Sequence, residues 1–134
     1  MIAGGGWIRK EKRNLKIFSI KDRIHGKKLS GIINNSNISL NILRDQNKDS
    51  HNMRTFEIPA MNGLMLTTRS KEQNEFFPEN KACYMYKDKK ELINKIEYIL
   101  QNKKEANRVR VAGNLISKKH SYLSRAKYLL SCIF

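Results

Sequence analysis

Short runs of β-type residues alternate with amphipathic stretches along the whole chain, and this alternation restricts the possible folds more than any other feature. Ile2-Ala3 reads as the stub of a strand ending at Gly4-Gly5-Gly6, and Leu15 to Ile20 as a second strand. Lys27 to Ser36 sets Leu29, Ile32 and Ile33 on one helical face. Ile38, Leu40 and Ile42 alternate with Ser39 and Asn41, a strand pattern. A polar loop, Arg44 to Asn52, then leads into a helical segment in which Met53, Phe56 and Ala60 share a face, and Asn62-Gly63 stops it. Leu64 to Thr68 is a strand, Lys71 to Phe77 a short helix ended by Pro78, and Ala82 to Tyr86 another strand. The clearest helix follows Asp88, its expected N-cap, with Leu92, Ile93, Ile96, Ile99 and Leu100 at core spacing. Ala106, Val109, Ala112 and Ile116 continue the helical pattern, and a last helix over 121–133 carries Tyr122, Ala126, Leu129, Leu130 and Ile133 on one face. Alternation at this spacing predicts an α/β fold with a parallel sheet and helices on both faces.

At 134 residues the chain is one domain, residues 1–134, given the usual size of roughly 100–200 residues per domain. Its 40% apolar and 29% charged residues support a modest core and argue against a disordered polycation. No apolar run approaches the ~18 residues of a membrane span and no signal-peptide pattern opens the chain, so a cytoplasmic protein is expected. Cys83 and Cys132 stand far apart with no paired histidine, which suggests two buried thiols and neither a disulfide framework nor a zinc site.

The formal charge of +15 invites a nucleic-acid reading, because basic surfaces bind polyanions through counterion release. A duller cause competes with it. Lys, Asn and Ile number 18, 14 and 15, the trio that an AT-rich genome imposes on any protein it encodes. The basic residues are scattered, with no RNA-recognition aromatic motif, zinc finger or basic zipper. A basic nucleic-acid-binding domain is therefore the weakest functional reading.

In open parallel sheets ligands bind beyond the carboxyl ends of the strands, often on helix N-termini. The polar loop Arg44 to Asn52 follows a strand and precedes a helix, which makes it the best candidate site in the chain. Asp49 and Glu57 are eight residues apart; on a continuous helix they would differ by about 80° and about 12 Å along the axis. One small group cannot touch both, whereas an extended ligand such as a nucleoside diphosphate-sugar can. Its pyrophosphate would lie on free N–H groups near His51 and Asn52, with a carboxylate on the ribose hydroxyls. Arg54 can pair with a phosphate or with Glu57. The plainer alternative has Asp49 as an N-cap and Glu57 as a solvated or Arg-paired side chain. Pro59 must end or kink this short helix, at a cost of roughly 3 kcal/mol inside a helix.

Asn52-Met53-Arg54-Thr55-Phe56-Glu57-Ile58-Pro59-Ala60, followed by Gly63 and the strand Leu64 to Thr68, resembles the signature of the spore-maturation CgeB-like branch of group 1 glycosyltransferases. The similarity extends upstream through Ser39 to Arg44 and Gln46 to His51, and downstream to His120-Ser121-Tyr122 and Ala126, nearly the whole chain. It implies the C-terminal, donor-binding half of a GT-B fold, in which two Rossmann-like domains face a cleft. By that resemblance Glu57 matches the second acidic residue of the family's E-x7-E motif and would hold the donor ribose. Asp49 stands where the first falls, so this chain has D-x7-E, and the shorter carboxylate changes its reach. His51, Asn52 and Arg54 would lie beside the phosphates or donor sugar. No catalytic residue is assigned. The resemblance implies that the acceptor-binding N-terminal domain, and the first strand of this one, lie outside these residues.

Gly4-Gly5-Gly6 lacks the dinucleotide fingerprint, since Arg9 stands where the next glycine would, and a turn is the simpler reading. Trp7 reads as a rim or core aromatic. No D-x-D pair of the kind that holds a metal is present, so neither a metal nor another cofactor is expected. His25 and His120 fall outside the proposed site, as surface or capping residues. The leading expectation is a donor-binding part of a glycosyltransferase, inactive alone, with a nucleoside diphosphate-sugar as partner. The second is a non-catalytic interaction module that docks a partner domain, or itself, through the last helix, whose apolar stripe would otherwise stand exposed.

Overall fold

The computed structural model describes residues 2–3, 19–20, 24–47 and 49–133. The expectations for Gly4-Gly5-Gly6, Trp7, Arg9 and the strand over Leu15 to Phe18 lie outside these residues. The chain divides into two compact units, residues 1–32 and 33–134. In the first, β1 (Ile2–Ala3) runs parallel to β2 (Ser19–Ile20), with Ile2 opposite Ser19 and Ala3 opposite Ile20. Helix α1 (Gly26–Asn34) follows. Gly26 opens it at φ +58°, a left-handed conformation that glycine adopts without penalty.

The second unit is built on a three-stranded parallel sheet in the order β3 (Ser39–Asn41), β4 (Met65–Thr68), β5 (Tyr84–Tyr86). Ser39, Leu40 and Asn41 stand opposite Met65, Leu66 and Thr67, and Leu66, Thr67 and Thr68 opposite Tyr84, Met85 and Tyr86. Strands this deep in a parallel sheet are buried on both faces. Met65, Leu66, Thr67, Tyr84 and Met85 accordingly have almost no exposed surface. Helices α2 (Met53–Ala60), α3 (Lys71–Phe76), α4 (Lys89–Gln101), α5 (Lys103–Lys119) and α6 (Tyr122–Ile133) complete the unit. The main apolar cluster joins Leu64, Leu66, Tyr84 and Tyr86 to Ile99 of α4 and to Ala106 and Val109 of α5. Thus an α/β fold with a parallel sheet flanked by helices is what the strand–helix alternation produces.

Helix boundaries follow local chemistry. Asp88 accepts from the Glu91 amide and caps α4, as its position predicts. Asn102 separates α4 from α5 by placing both its N–H and its Nδ2 on the Tyr98 carbonyl, each at 2.9 Å. Pro59 lies in the last turn of α2, and the ladder runs on to the Met61 N–H, which donates to the Glu57 carbonyl, before the Asn62 and Gly63 amides turn back to Pro59 and Ile58. Asn62, at φ 58°, turns the chain in the left-handed region that asparagine tolerates.

Several expectations about which residues are buried are corrected. In β3 the buried side chains are Asn41 and, just beyond, Leu43, while Leu40 and Ile42 are 45% and 51% exposed. A hydrogen-bonding network behind the strand takes up the Asn41 amide, so alternation of polarity misreports the inward face. In α4, Ile93 and Leu100 are exposed; Leu92, Ile96 and Ile99 already fill the arc that faces the sheet, and positions one residue later point about 100° away. In α5 the buried face runs through Ala106, Val109, Gly113 and Ser117, with Ala112 and Ile116 at its margin. Small side chains mark the closest approach there. A Cβ on Gly113 would stand 2.5 Å from the Ala82 carbonyl oxygen. Cys83 is buried as expected, whereas Cys132 is exposed on α6.

No residue of α6 is buried. Its apolar stripe exists but is uncovered, from Tyr122 at 84% exposure to Ile133 at 70%. Among the described residues no helix is long and apolar enough to cross a membrane.

Candidate functional site

The segment between β3 and α2 leaves the carboxyl end of β3, makes a single 3-10 turn over Asp45–Asn47, and enters α2 through Asn52. Asn52 is extended at φ −137°, and its Oδ1 accepts from the Thr55 amide at 3.1 Å. Thr55 Oγ1 accepts in return from the Asn52 amide at 3.3 Å. This reciprocal capping box starts the helix at Met53. Asn52, and not Asp49, is therefore the N-cap. Asp49 and Glu57 do not share a continuous helix, since residues 49–52 precede it. The Asn52 amide is used by the box, which leaves the Met53 and Arg54 amides as first-turn donors with no acceptor inside the helix.

Behind the cap lies a polar network that sequence reasoning did not find. Asn52 Nδ2 donates to Asn41 Oδ1 at 3.0 Å. Gln73 Oε1 gathers the hydroxyls of Thr55 at 2.9 Å and Thr67 at 3.0 Å, with Asn41 Nδ2 at 3.5 Å, and Gln73 Nε2 donates to the Thr68 carbonyl at 2.8 Å. Asn41, Thr55, Thr67 and Gln73 are all buried, and burial makes each pairing necessary. The network ties β3, β4 and α3 to the first turn of α2 and so fixes where that turn points. The one available signal was Asn41, a polar residue inside a strand.

The loop itself is pinned from the α3 side. Ser70 Oγ donates to the Ser50 carbonyl at 2.7 Å, and Ser50 Oγ donates to Glu72 Oε2 at 2.6 Å. His51 Nδ1 stands 2.9 Å from the same oxygen. The Ser50 hydroxyl, with His51 second, holds the Glu72 carboxyl below its ordinary range.

His51 continues into a cluster of rings. It meets Phe56 and Phe76 edge-on at 5.4 and 5.2 Å, and Phe56 in turn meets Phe76, Phe77 and His120 at 5.2, 5.8 and 5.3 Å. Arg125 of α6 lies over the Phe56 ring with Cζ 4.7 Å from its centre. Burial pulls the His120 imidazole below the ordinary histidine range, and the neighbouring charges of Arg125 and Lys119 pull in the same direction.

These groups wall a groove of about 510 Å³ between the first turn of α2 and the junction of α5 with α6. Of the residues singled out in the sequence, His51, Asn52 and Glu57 line it. Arg54 lies outside the lining and pairs with Glu57 at 3.5 Å. Asp49 is on the exposed turn before His51 and does not reach the groove wall. His120, expected outside the site, is inside it: it caps α5 as anticipated, but the same turn swings its ring onto Phe56. Lys118, Ser121, Tyr122 and Arg125 also contribute, all from a tail that carries no short-range link to the loop in sequence. Among the described residues no group of three or more His, Cys, Asp or Glu is placed to share a metal ion.

A family model described as "Glycosyl transferase-like" matches residues 1–131. The chain belongs to this glycosyl transferase-like family. No curated protein matches it significantly. The groove brings the Glu57 carboxylate of α2 together with the Lys118 and Arg125 side chains of the α5–α6 junction.

Proposed function

We propose that residues 1–134 form a donor-binding domain of a GT-B glycosyltransferase of the CgeB-like branch, and that the groove receives a nucleoside diphosphate-sugar. The observation that carries this reading is the position of Glu57: it lines the groove one turn inside a helix whose N-cap, Asn52, and first residue, Met53, line the same groove, in a chain of the glycosyl transferase-like family. A carboxylate there accepts hydrogen bonds from a ribose diol, and amide donors at a helix start favour phosphate oxygens. His51 and Asn52 border the diphosphate in this reading. Arg54 orients Glu57 through their 3.5 Å pair, and Asp49 is left as a loop residue that a long donor would have to draw inward.

In the complete reaction the helix amides stabilise the diphosphate as it leaves the sugar, a preorganised electrostatic role that needs no metal. The acceptor site and any general base are assigned to a separate domain, so this polypeptide alone binds donor weakly, in the cytoplasm, without turnover. Calorimetry with ADP, GDP and UDP tests the reading. Binding by the wild type that weakens in Glu57→Ala is expected; equal silence from both proteins removes the claim.

The exposed stripe of α6 favours a second reading, an interaction module whose last helix docks a partner domain or another copy. Size-exclusion chromatography with light scattering separates the two. A clean monomer across the accessible concentration range counts against self-association.

A further inference from the structure

We infer that Arg125, carried by the last helix, is the diphosphate anchor of the groove, held in place by its stack on Phe56. The inference rests on the donor reading above for the identity of the ligand. A guanidinium that lies on an aromatic face has its π-surface covered while its N–H donors, which all lie in the plane, stay available at the rim. Arg125 lies over such a face, with Cζ 4.7 Å from the Phe56 centre. Among the described residues no carboxylate pairs with it. By contrast, Arg54 is engaged by Glu57 and Arg69 by Glu79 and Glu91.

The surroundings leave its charge uncompensated. From Ala106 to Phe134 the sequence has no Asp or Glu, and Lys118 lines the same groove. His120 lines the groove with them, its imidazole held below the ordinary histidine range by burial first, with the Arg125 and Lys119 charges adding in the same direction. The single acidic side chain on the groove wall, Glu57, is already paired by Arg54. A planar fork seated over an aromatic ring loses less side-chain freedom when it grips two oxygens, which suits a diphosphate better than a neutral sugar. Phe56 thus has two functions: it belongs to the ring cluster under α2, and it presents the arginine.

The test uses the full chain with inorganic pyrophosphate, with ADP, GDP and UDP, and with the matching nucleosides. Arg125 is on an exposed helix, so Arg125→Gln and Arg125→Lys should melt as the wild type does. Arg125→Gln is expected to lose about tenfold or more in affinity for pyrophosphate and for whichever diphosphate binds, with nucleoside binding unchanged. Arg125→Lys keeps the charge without the fork and recovers only part. Phe56→Leu, which removes the stacking face, should weaken diphosphate binding while the guanidinium remains. Unchanged diphosphate affinity in Arg125→Gln overturns the inference and leaves the donor reading intact. Loss of pyrophosphate binding in Arg125→Gln, in a protein that binds no nucleoside diphosphate, supports the anchor and removes the donor reading. A wild type that binds neither overturns both.

Discussion

The carbonyl oxygen of Pro59 accepts a hydrogen bond from Asn114 Nδ2 at 2.8 Å, joining the end of α2 to the middle of α5 across 55 residues of chain. This carbonyl also accepts from the Asn62 amide at 2.9 Å, so the Asn114 side chain fills its second lone pair. Asn114 also lines the groove, so the bond sets the separation of its two walls. Asn114→Ala is expected to lower stability by about 1–2 kcal/mol, read from urea unfolding midpoints. An unchanged midpoint would mean that water replaces the amide at no cost.

Gly113, one residue earlier, makes a sharper test because two effects have opposite signs. Helix propensity alone predicts that Gly113→Ala stabilises by about 1 kcal/mol. The added Cβ would stand 2.5 Å from the backbone oxygen of Ala82, which cannot rotate away. Overpacking of this kind costs about 1–3 kcal/mol, so the melting temperature should fall. A rise would show that α5 does not approach the chain before β5 so closely.

Truncating Gln73 removes the acceptor that Thr55 and Thr67 share and the donor to the Thr68 carbonyl. Gln73→Ala should cost about 3 kcal/mol, combining a cavity with newly unpaired buried groups. Because Thr55 is half of the capping box, amide exchange at the start of α2 should accelerate more than exchange in α4. Uniform acceleration would place the loss in global stability alone.

Arg69 hydrogen-bonds Glu79 with Nε and Nη2 and Glu91 with Nη1 and Nη2, at 2.6 to 2.9 Å. Hydrogen bonding to Arg69 lowers the Glu91 carboxyl from an ordinary 4.5 to about 2. A depressed folded value means the stabilisation is present above the unfolded value and is lost as pH falls toward the folded one. The wild type should therefore lose stability between about pH 4.5 and about 2. Arg69→Ala should cost about 1–3 kcal/mol at neutral pH and flatten that acid limb. Parallel pH profiles for the two proteins would contradict the assignment.

His120 follows the same logic at higher pH. Its folded value lies below the ordinary 6.5, through burial first and the Arg125 and Lys119 charges second. As pH falls from about 6.5 the unfolded chain takes up the proton first, so stability declines until the folded imidazole is protonated too. His120→Phe preserves ring contact with Phe56 without a titrating group. Its stability should vary less than that of the wild type across that window, as followed by thermal melts at stepped pH.

Element order was legible because each helix and strand carries its own local signal. Asp88 as a cap and Pro59 near a helix end act within one turn of their own position, and the structure has both where the sequence puts them. The inward faces were less legible. Asn41 looks like a solvent-facing residue of a strand, yet it is buried because Thr55, Gln73 and Asn52 meet it from elsewhere in the chain. Gly113 and Ser117 look like interruptions of an apolar stripe, yet they are its closest contact, since tight packing selects for size as much as for apolarity.

The groove divides in the same way. By itself the sequence determined the α/β class, the loop before α2 and the candidates His51, Asn52 and Glu57, all within one short segment whose spacing can be read directly. Only the tertiary structure decided that His120 and Arg125 close the opposite wall, that Arg54 turns to Glu57, and that Asp49 stays on the outer turn. The physical reason is distance along the chain: more than 60 residues separate Phe56 from His120 and Arg125. No periodicity or spacing rule reaches that far, and the packing of α5 on α2 brings them together.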